Sequence, residues 1–195
     1  MSGVFGTAHK NGWCQENPVA RVEVPPIVEK PIIPLSLQEC EQLQKTAQLP
    51  EYQDMQLSLH LMLYCGIRPT EVSRMNAEKD IDWERQQVLV RPTAAKTGGG
   101  RVVPLRRAGS ITLRVIPKRW GARWRAIRLA AGWKDWKPDT LRHTFATYHA
   151  AHFRDLPELQ LEMGHRDTTL LRTRYINAVS ISRREARDFW QAPTP

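Results

Sequence analysis

The chain of 195 residues is poor in cysteine: Cys14, Cys40 and Cys65 stand far apart, with no CxxC pair among them. That count excludes a disulfide framework and a structural zinc finger or ribbon. No apolar run reaches the ~18 residues of a membrane-spanning helix, so no membrane partner is expected. The first thirty residues lack the basic-then-apolar order of a secretory leader. These absences point to a protein of the reducing cytoplasm. Hydrophobic residues at 41% and charged residues at 25% describe a folded chain rather than a disordered one. A globule of this length buries enough surface to fold unaided, as one domain plus a remnant. No metal site and no cofactor are expected.

Acidic residues are missing from one long stretch. The chain carries 29 Lys and Arg against 20 Asp and Glu, a net charge of +9, yet residues 85–134 hold thirteen bases and no acid. Residues 1–84 are net acidic and residues 135–195 are close to balanced. Most of the bases in the stretch are arginine, whose planar fork suits phosphate oxygens better than an ammonium does. The expected partner is double-stranded DNA, bound largely through counterion release and therefore weakened by salt. Arg91, Arg101, Arg106, Arg107, Arg119 and Arg123 are the candidate DNA contacts. Two readings compete: a solvated basic face that only aids solubility, and an anionic membrane surface. The second lacks the Trp- and Leu-faced cationic helix it needs.

The elements read as follows. Residues 1–33 form a short helical stub and an extended linker, because Pro18, Pro25, Pro26, Pro31 and Pro34 forbid a long helix or a central strand. Ser36 and Glu39 make a capping box for a helix through Leu43 and Ala47. A second helix runs from about Gln53 through Leu59 and Leu63 and stops at Gly66, and Pro69 opens a third. Gln86–Arg91 and Arg101–Leu105 are strands of a β-hairpin with a glycine-rich tip at Lys96–Gly100. Helices follow near Lys118–Ala131, after Asp139, over Leu156–Met163 with Gly164 as a left-handed cap, after Asp167, and from Ser182 to Trp190. The fold class is α+β: mainly helical, with one small antiparallel sheet.

Five reactive residues punctuate this order: Arg68 in Gly66-Ile-Arg-Pro-Thr-Glu71, Lys96 before Arg101-Val-Val-Pro-Leu105, Arg142 in Leu141-Arg-His-Thr-Phe145, His165 after Gly164, and Tyr175 after Arg174. Here the chain resembles the tyrosine recombinase, or phage integrase, family, over about residues 34–190. The resemblance implies the family's catalytic-domain fold and site-specific cleavage and rejoining of DNA through a 3′-phosphotyrosyl intermediate, without a metal. It implies Tyr175 as nucleophile, Arg68 and Arg142 on the non-bridging phosphate oxygens, Lys96 as proton donor to the leaving 5′-oxygen, and His165 on the scissile phosphate. Each residue keeps a structural alternative: a packed aromatic for Tyr175, ion pairing for the arginines, a solvated turn for Lys96, a satisfied core histidine for His165. Glu71, one turn after Arg68, either orients that guanidinium or is a solvated helix residue.

One position departs from the pattern. Three residues before Arg142, most relatives carry His or Lys, whereas this chain has Asp139. A carboxylate cannot replace a cation beside a phosphate, so Asp139 is read as the side-chain N-cap of the helix presenting Arg142. A role in proton transfer is the competing reading. His143 is expected to be a buried, hydrogen-bonded support.

The resemblance also divides the chain. Residues 1–33 read as the remnant of a core-binding domain helix with its linker, and 34–195 as the integrase catalytic domain, so the chain is expected to be truncated at its N-terminus and to bind DNA weakly. A catalytically silent DNA-binding remnant is the alternative function. A type IB topoisomerase shares this chemistry but embraces DNA with a larger body. The amphipathic segment 182–190, with Phe189 and Trp190 expected on its surface, is a candidate for docking on a neighbouring copy; packing on its own domain is the alternative. A bacterial, phage or mobile-element protein acting at the nucleoid is the setting implied.

Overall fold

The computed structural model describes residues 2–22, 32–95, 99–164 and 181–191. The chain divides into two compact units, Met1–Pro31 and Ile32–Pro195. The first contains helix α1 (Ser2–Lys10), closed by Gly12 at φ 71° and by the Trp13 amide on the Ala8 carbonyl at 2.8 Å.

The second unit opens on the capping box. The Ser36 amide donates to Glu39 Oε2 at 2.8 Å and the Glu39 amide to Ser36 Oγ at 3.3 Å, starting α2 (Leu37–Gln48). A 3₁₀ turn (Pro50–Met55) leads into α3 (Gln56–Tyr64), which is apolar on every side and buried along almost its whole length. A helix of that kind must lie at the centre of a domain. It packs against α7 (Thr140–His152), which buries every residue from Thr140 to His149. Each large apolar side chain sealed in this pair contributes roughly 1.5–3 kcal/mol relative to exposure.

After α3 come α4 (Pro69–Val72) and α5 (Ala77–Asp80), then a three-stranded antiparallel sheet in the order β1 (Ile81–Asp82), β2 (Gln87–Val90), β3 (Arg101–Pro104). The register pairs Val88 with Val103 and Val90 with Arg101. Val88, Val90 and Val103 enter the core while Leu89 and Val102 face outward, the period-2 alternation that places a sheet over one core. The hairpin matches the sequence expectation; α5 and the two-residue β1 were not legible, being too short to carry a period.

Helix α6 (Trp120–Ala130) buries Trp120, Trp124 and Ile127 on one stripe, as the spacing predicts. Helix α8 (Leu156–Met163) is capped by the Asp155 side chain and ends at Gly164, whose φ is 61°. Helix α9 (Arg183–Gln191) lies on α7. Its Phe189 is 2% exposed and stacks on Tyr148 at 4.2 Å, and Trp190 is 9% exposed and donates to the Tyr148 carbonyl at 3.2 Å. This corrects the expectation of an exposed Phe189 and Trp190: the apolar face of the segment is spent within its own domain. The helix expected after Asp167 lies outside the described residues. No described helix is long and apolar enough to cross a membrane.

Candidate active site

The site is built from the ends of elements. Gly66 terminates α3 at φ 62°, a conformation that L side chains rarely adopt. The Phe145 ring of α7 closes over it, so that a Cβ on residue 66 would sit 2.3 Å from Phe145 Cδ1. Two motifs that stand nearly eighty residues apart in sequence therefore meet at one turn. From α7, one turn before Phe145, Arg142 donates Nη1–H to the Gly66 carbonyl and Nη2–H to the Met163 carbonyl. Arg142 is 3% exposed. Its guanidinium thus joins the C-terminal end of α3, two residues before Arg68, to the C-terminal end of α8.

Arg68 stands at the N-terminus of α4. Its amide donates to Glu71 Oε2 at 3.0 Å and its Nη1–H to Glu71 Oε1 at 3.3 Å. Glu71 orients Arg68, and it is wholly buried. It carries a second guanidinium: Arg101, from β3, donates Nη1–H to Oε1 at 3.1 Å and Nη2–H to Oε2 at 2.7 Å. Burial alone would raise the Glu71 carboxyl. The Arg101 hydrogen bonds and charge, with the Arg68 amide and charge, outweigh it and hold the group at about 2.

Arg101, a candidate DNA contact, has a side chain 8% exposed, and its Nε–H donates to the Glu162 carbonyl at 2.7 Å. Arg106, another candidate, forks onto Glu162 at 2.8 and 2.7 Å and lies over the rings of Phe153 and Trp190. Arg107 donates to the Phe189 carbonyl and covers Tyr64 at 4.6 Å. Arg123 holds Asp54 at 2.6 and 2.8 Å, and Arg91 holds Asp80 at 2.7 and 2.9 Å. Of the six, Arg119, at the start of α6, is the exposed residue, and the other five are partly buried. The acid-free stretch is therefore not a uniformly unpaired cationic face: Arg91, Arg101, Arg106 and Arg123 are met by carboxylates from the acid-bearing segments on either side.

Asp139 occupies the N-cap position of α7, but its side chain makes no capping bond, which corrects the sequence expectation. Its backbone is left-handed, at φ 64° and ψ 9°. Aspartate is one of the few non-glycine residues enriched in that region, which accounts for its presence more directly than a cap does. The α7 start is held instead by the Thr140 hydroxyl, which donates to the Lys137 carbonyl at 2.8 Å. His143 is buried, 8% exposed. Lys96, His165 and Tyr175 lie outside the described residues.

His149, Glu158 and Glu162 present donor atoms within 4.8 Å of one another, the one such group among the described residues. Arg106 already contacts both carboxylates, so the cation that this cluster holds is a guanidinium. The cysteines have no redox geometry. Cys40 and Cys65 are buried and unpaired, and burial pushes the Cys65 thiol up to about 12.

No family model matches the sequence, and no curated protein matches it. Solved structures do. XerA recombinase superposes with a TM-score of 0.58 at 19% identity, covering 90% of this chain and 70% of that one. The catalytic domain of bacteriophage HP1 integrase gives 0.63 at 18% identity, covering 76% and 90%. The Tn1549 transposon integrase, in complex with circular intermediate DNA, gives 0.59 at 18% identity, covering 92% and 74%. The chain shares the fold of these recombinase and integrase domains.

Proposed function

We propose that this domain, with the fold of tyrosine recombinase catalytic domains, is a site-specific DNA strand transferase. The observation that carries the reading is the convergence of Arg142 on Gly66, two residues from Arg68. It brings the arginines of two separate motifs to one turn, each backed by buried acceptors that fix its direction. Such preorganised donors are what a pentacoordinate phosphorane requires, and losing one typically costs about 10²–10³ in rate.

In the proposed reaction the Tyr175 oxygen attacks phosphorus, its phenolic proton leaves to solvent or a neighbouring base, and the P–O5′ bond breaks. Lys96 gives a proton to the departing 5′-oxygen, and His165 hydrogen-bonds the phosphate. The phosphodiester becomes a 3′-phosphotyrosyl ester plus a 5′-hydroxyl; attack by another 5′-hydroxyl reverses the step on a new partner without ATP. Arg68 and Arg142 supply the positive charge, so the reaction is proposed to need no metal. Residues 34–195 would form the catalytic unit and 1–33 the end of a core-binding segment. The DNA would be that of a bacterium, phage or mobile element.

A nicked suicide duplex, from which the short 5′-hydroxyl strand diffuses away, tests this. A covalent adduct that survives EDTA and is absent from Tyr175→Phe is expected. Asp139 favours a second reading, since its carboxylate stands where relatives place a cation: a domain that binds DNA without cutting it. Salt-sensitive binding with no adduct would establish that reading instead.

A further inference from the structure

Arg101 is the residue on which the described part of the site turns. Its guanidinium uses three donors on two different elements: two on the Glu71 carboxylate beside Arg68 and one on the Glu162 carbonyl in the last turn of α8. The fit is close on the α8 side as well. A Cβ on Gly164 would lie 3.2 Å from Arg101 Cδ and 3.4 Å from Nη1, so the stem of the arginine passes directly under the glycine that ends the helix. Arg142 reaches the same helix end, at the Met163 carbonyl.

Arg101 itself sits on β3, five residues after Lys96 in the chain, at the strand position paired with Val90. One side chain therefore ties the sheet to the start of α4, where Arg68 emerges, and to the end of α8, which Arg142 also grips. Three donors of the Arg101 guanidinium are spent on Glu71 and on the Glu162 carbonyl, so it acts on the site through those partners.

We infer that Arg101 is a positioning residue of the phosphate clamp: by fixing Glu71 it fixes the direction of the Arg68 guanidinium, and by holding the end of α8 it fixes the backbone that receives Arg142. The inference rests on the functional reading above and adds a residue to it. The bidentate fork is what makes the arrangement directional. A lysine at the same place would keep the charge but could hold only one carboxylate oxygen and would lose the bond to Glu162.

The test compares wild type, Arg101→Lys and Glu71→Gln on the suicide duplex under single turnover, with the scissile phosphate either ordinary or carrying a methyl group in place of one non-bridging oxygen. Arg101→Lys is expected to fold, to bind duplex DNA with unchanged salt slope, and to form adduct about 10–100-fold more slowly on the ordinary phosphate. On the neutral methylphosphonate, which asks less of the clamp, the defect is expected to shrink several-fold. A residue that only maintained the fold would slow both substrates equally, and that result overturns the inference. A salt slope reduced by about one also overturns it, because Arg101 would then be a phosphate contact. A second arm needs no DNA: the Glu71 carboxyl, titrated by carbon NMR, is expected to move upward in Arg101→Lys. An unmoved Glu71 overturns the inference alone. A wild-type protein that forms no adduct overturns the functional reading, and with it the clamp that Arg101 would position.

Discussion

The ring of Phe145 occupies the space that any side chain on Gly66 would need, with its Cδ1 2.3 Å from the place of a Cβ. The contact is rigid on both sides, since the ring is wholly buried and the glycine ends a central helix in a left-handed conformation. Arg68 follows this contact by two residues along the chain, and Arg142 precedes it by one turn of α7. Gly66→Ala is expected to destabilise the domain by roughly 2–4 kcal/mol, from overpacking and left-handed strain together. Urea unfolding measures it. Combining it with Phe145→Leu should recover part of the loss, because the smaller side chain leaves room; additive effects would contradict the contact.

Arg106 and Arg119 are alike in sequence, both in the acid-free stretch, and unlike in space. Arg106→Met strips one partner from a pair whose side chains are 16% and 4% exposed, and is expected to cost on the order of 3–5 kcal/mol of stability. Removing Glu162 as well, as Leu, should return much of that. Arg119→Met should leave stability within about 0.5 kcal/mol and, if the domain binds DNA, lower the slope of log affinity against log salt by about one. Chemical denaturation and binding at several salt concentrations separate the two.

The C-terminal helix is a part of the fold. Trp190 fills a space among Phe145, His149, His152 and Phe153, and Phe189 stacks on Tyr148. Trp190→Ala is expected to cost roughly 3–5 kcal/mol. Deleting residues 181–195 should therefore yield a poorly folded chain, seen in the loss of near-ultraviolet dichroism. A well-folded truncated protein of altered oligomeric mass would support docking on a second copy instead.

Acid should weaken the fold from about pH 6.5 downward. Burial, with the charge of Arg106, lowers His149 to about 3, and burial lowers His60 to about 4, although its ring donates to the Arg106 carbonyl at 2.6 Å. The unfolded chain takes up these protons near pH 6.5 and the folded chain does not, so stability present above that pH falls as pH drops, by about 1.4 kcal/mol per unit for each fully protonatable histidine. Glu71 adds to the loss between about 4.5 and 2, its folded group being the more acidic. Glu162 acts with the opposite sign, because burial raises it despite Arg106. His149→Phe, which keeps the ring among its aromatic neighbours, is expected to flatten the slope of melting temperature between pH 6.5 and 4. An unchanged slope would assign the acid loss elsewhere.

Much of the architecture was written locally. The Ser36 and Glu39 capping box, the α6 stripe of Trp120, Trp124 and Ile127, the Gly66 and Gly164 stops and the paired hairpin strands each depend on residues within a few positions of one another. Such signals survive without tertiary structure, because hydrogen-bonding at a helix end and the period of an apolar face are decided by the segment itself. The order of the five reactive motifs and their resemblance to the recombinases were legible for the same reason: they are short strings.

Which arginine does what was not written there. Glu71 and Arg101 are separated by 30 residues, Arg106 and Glu162 by 56, Arg123 and Asp54 by 69. A charge count along the chain sees an acid-free block; only packing reveals that the block is threaded among carboxylates supplied from both sides. A buried guanidinium must be paired, whereas an exposed one need not be, and burial is a property of the assembled core rather than of any segment. The same holds for Trp190, whose apolar face the sequence could offer to a neighbour or to its own domain, and which α7 was close enough to claim.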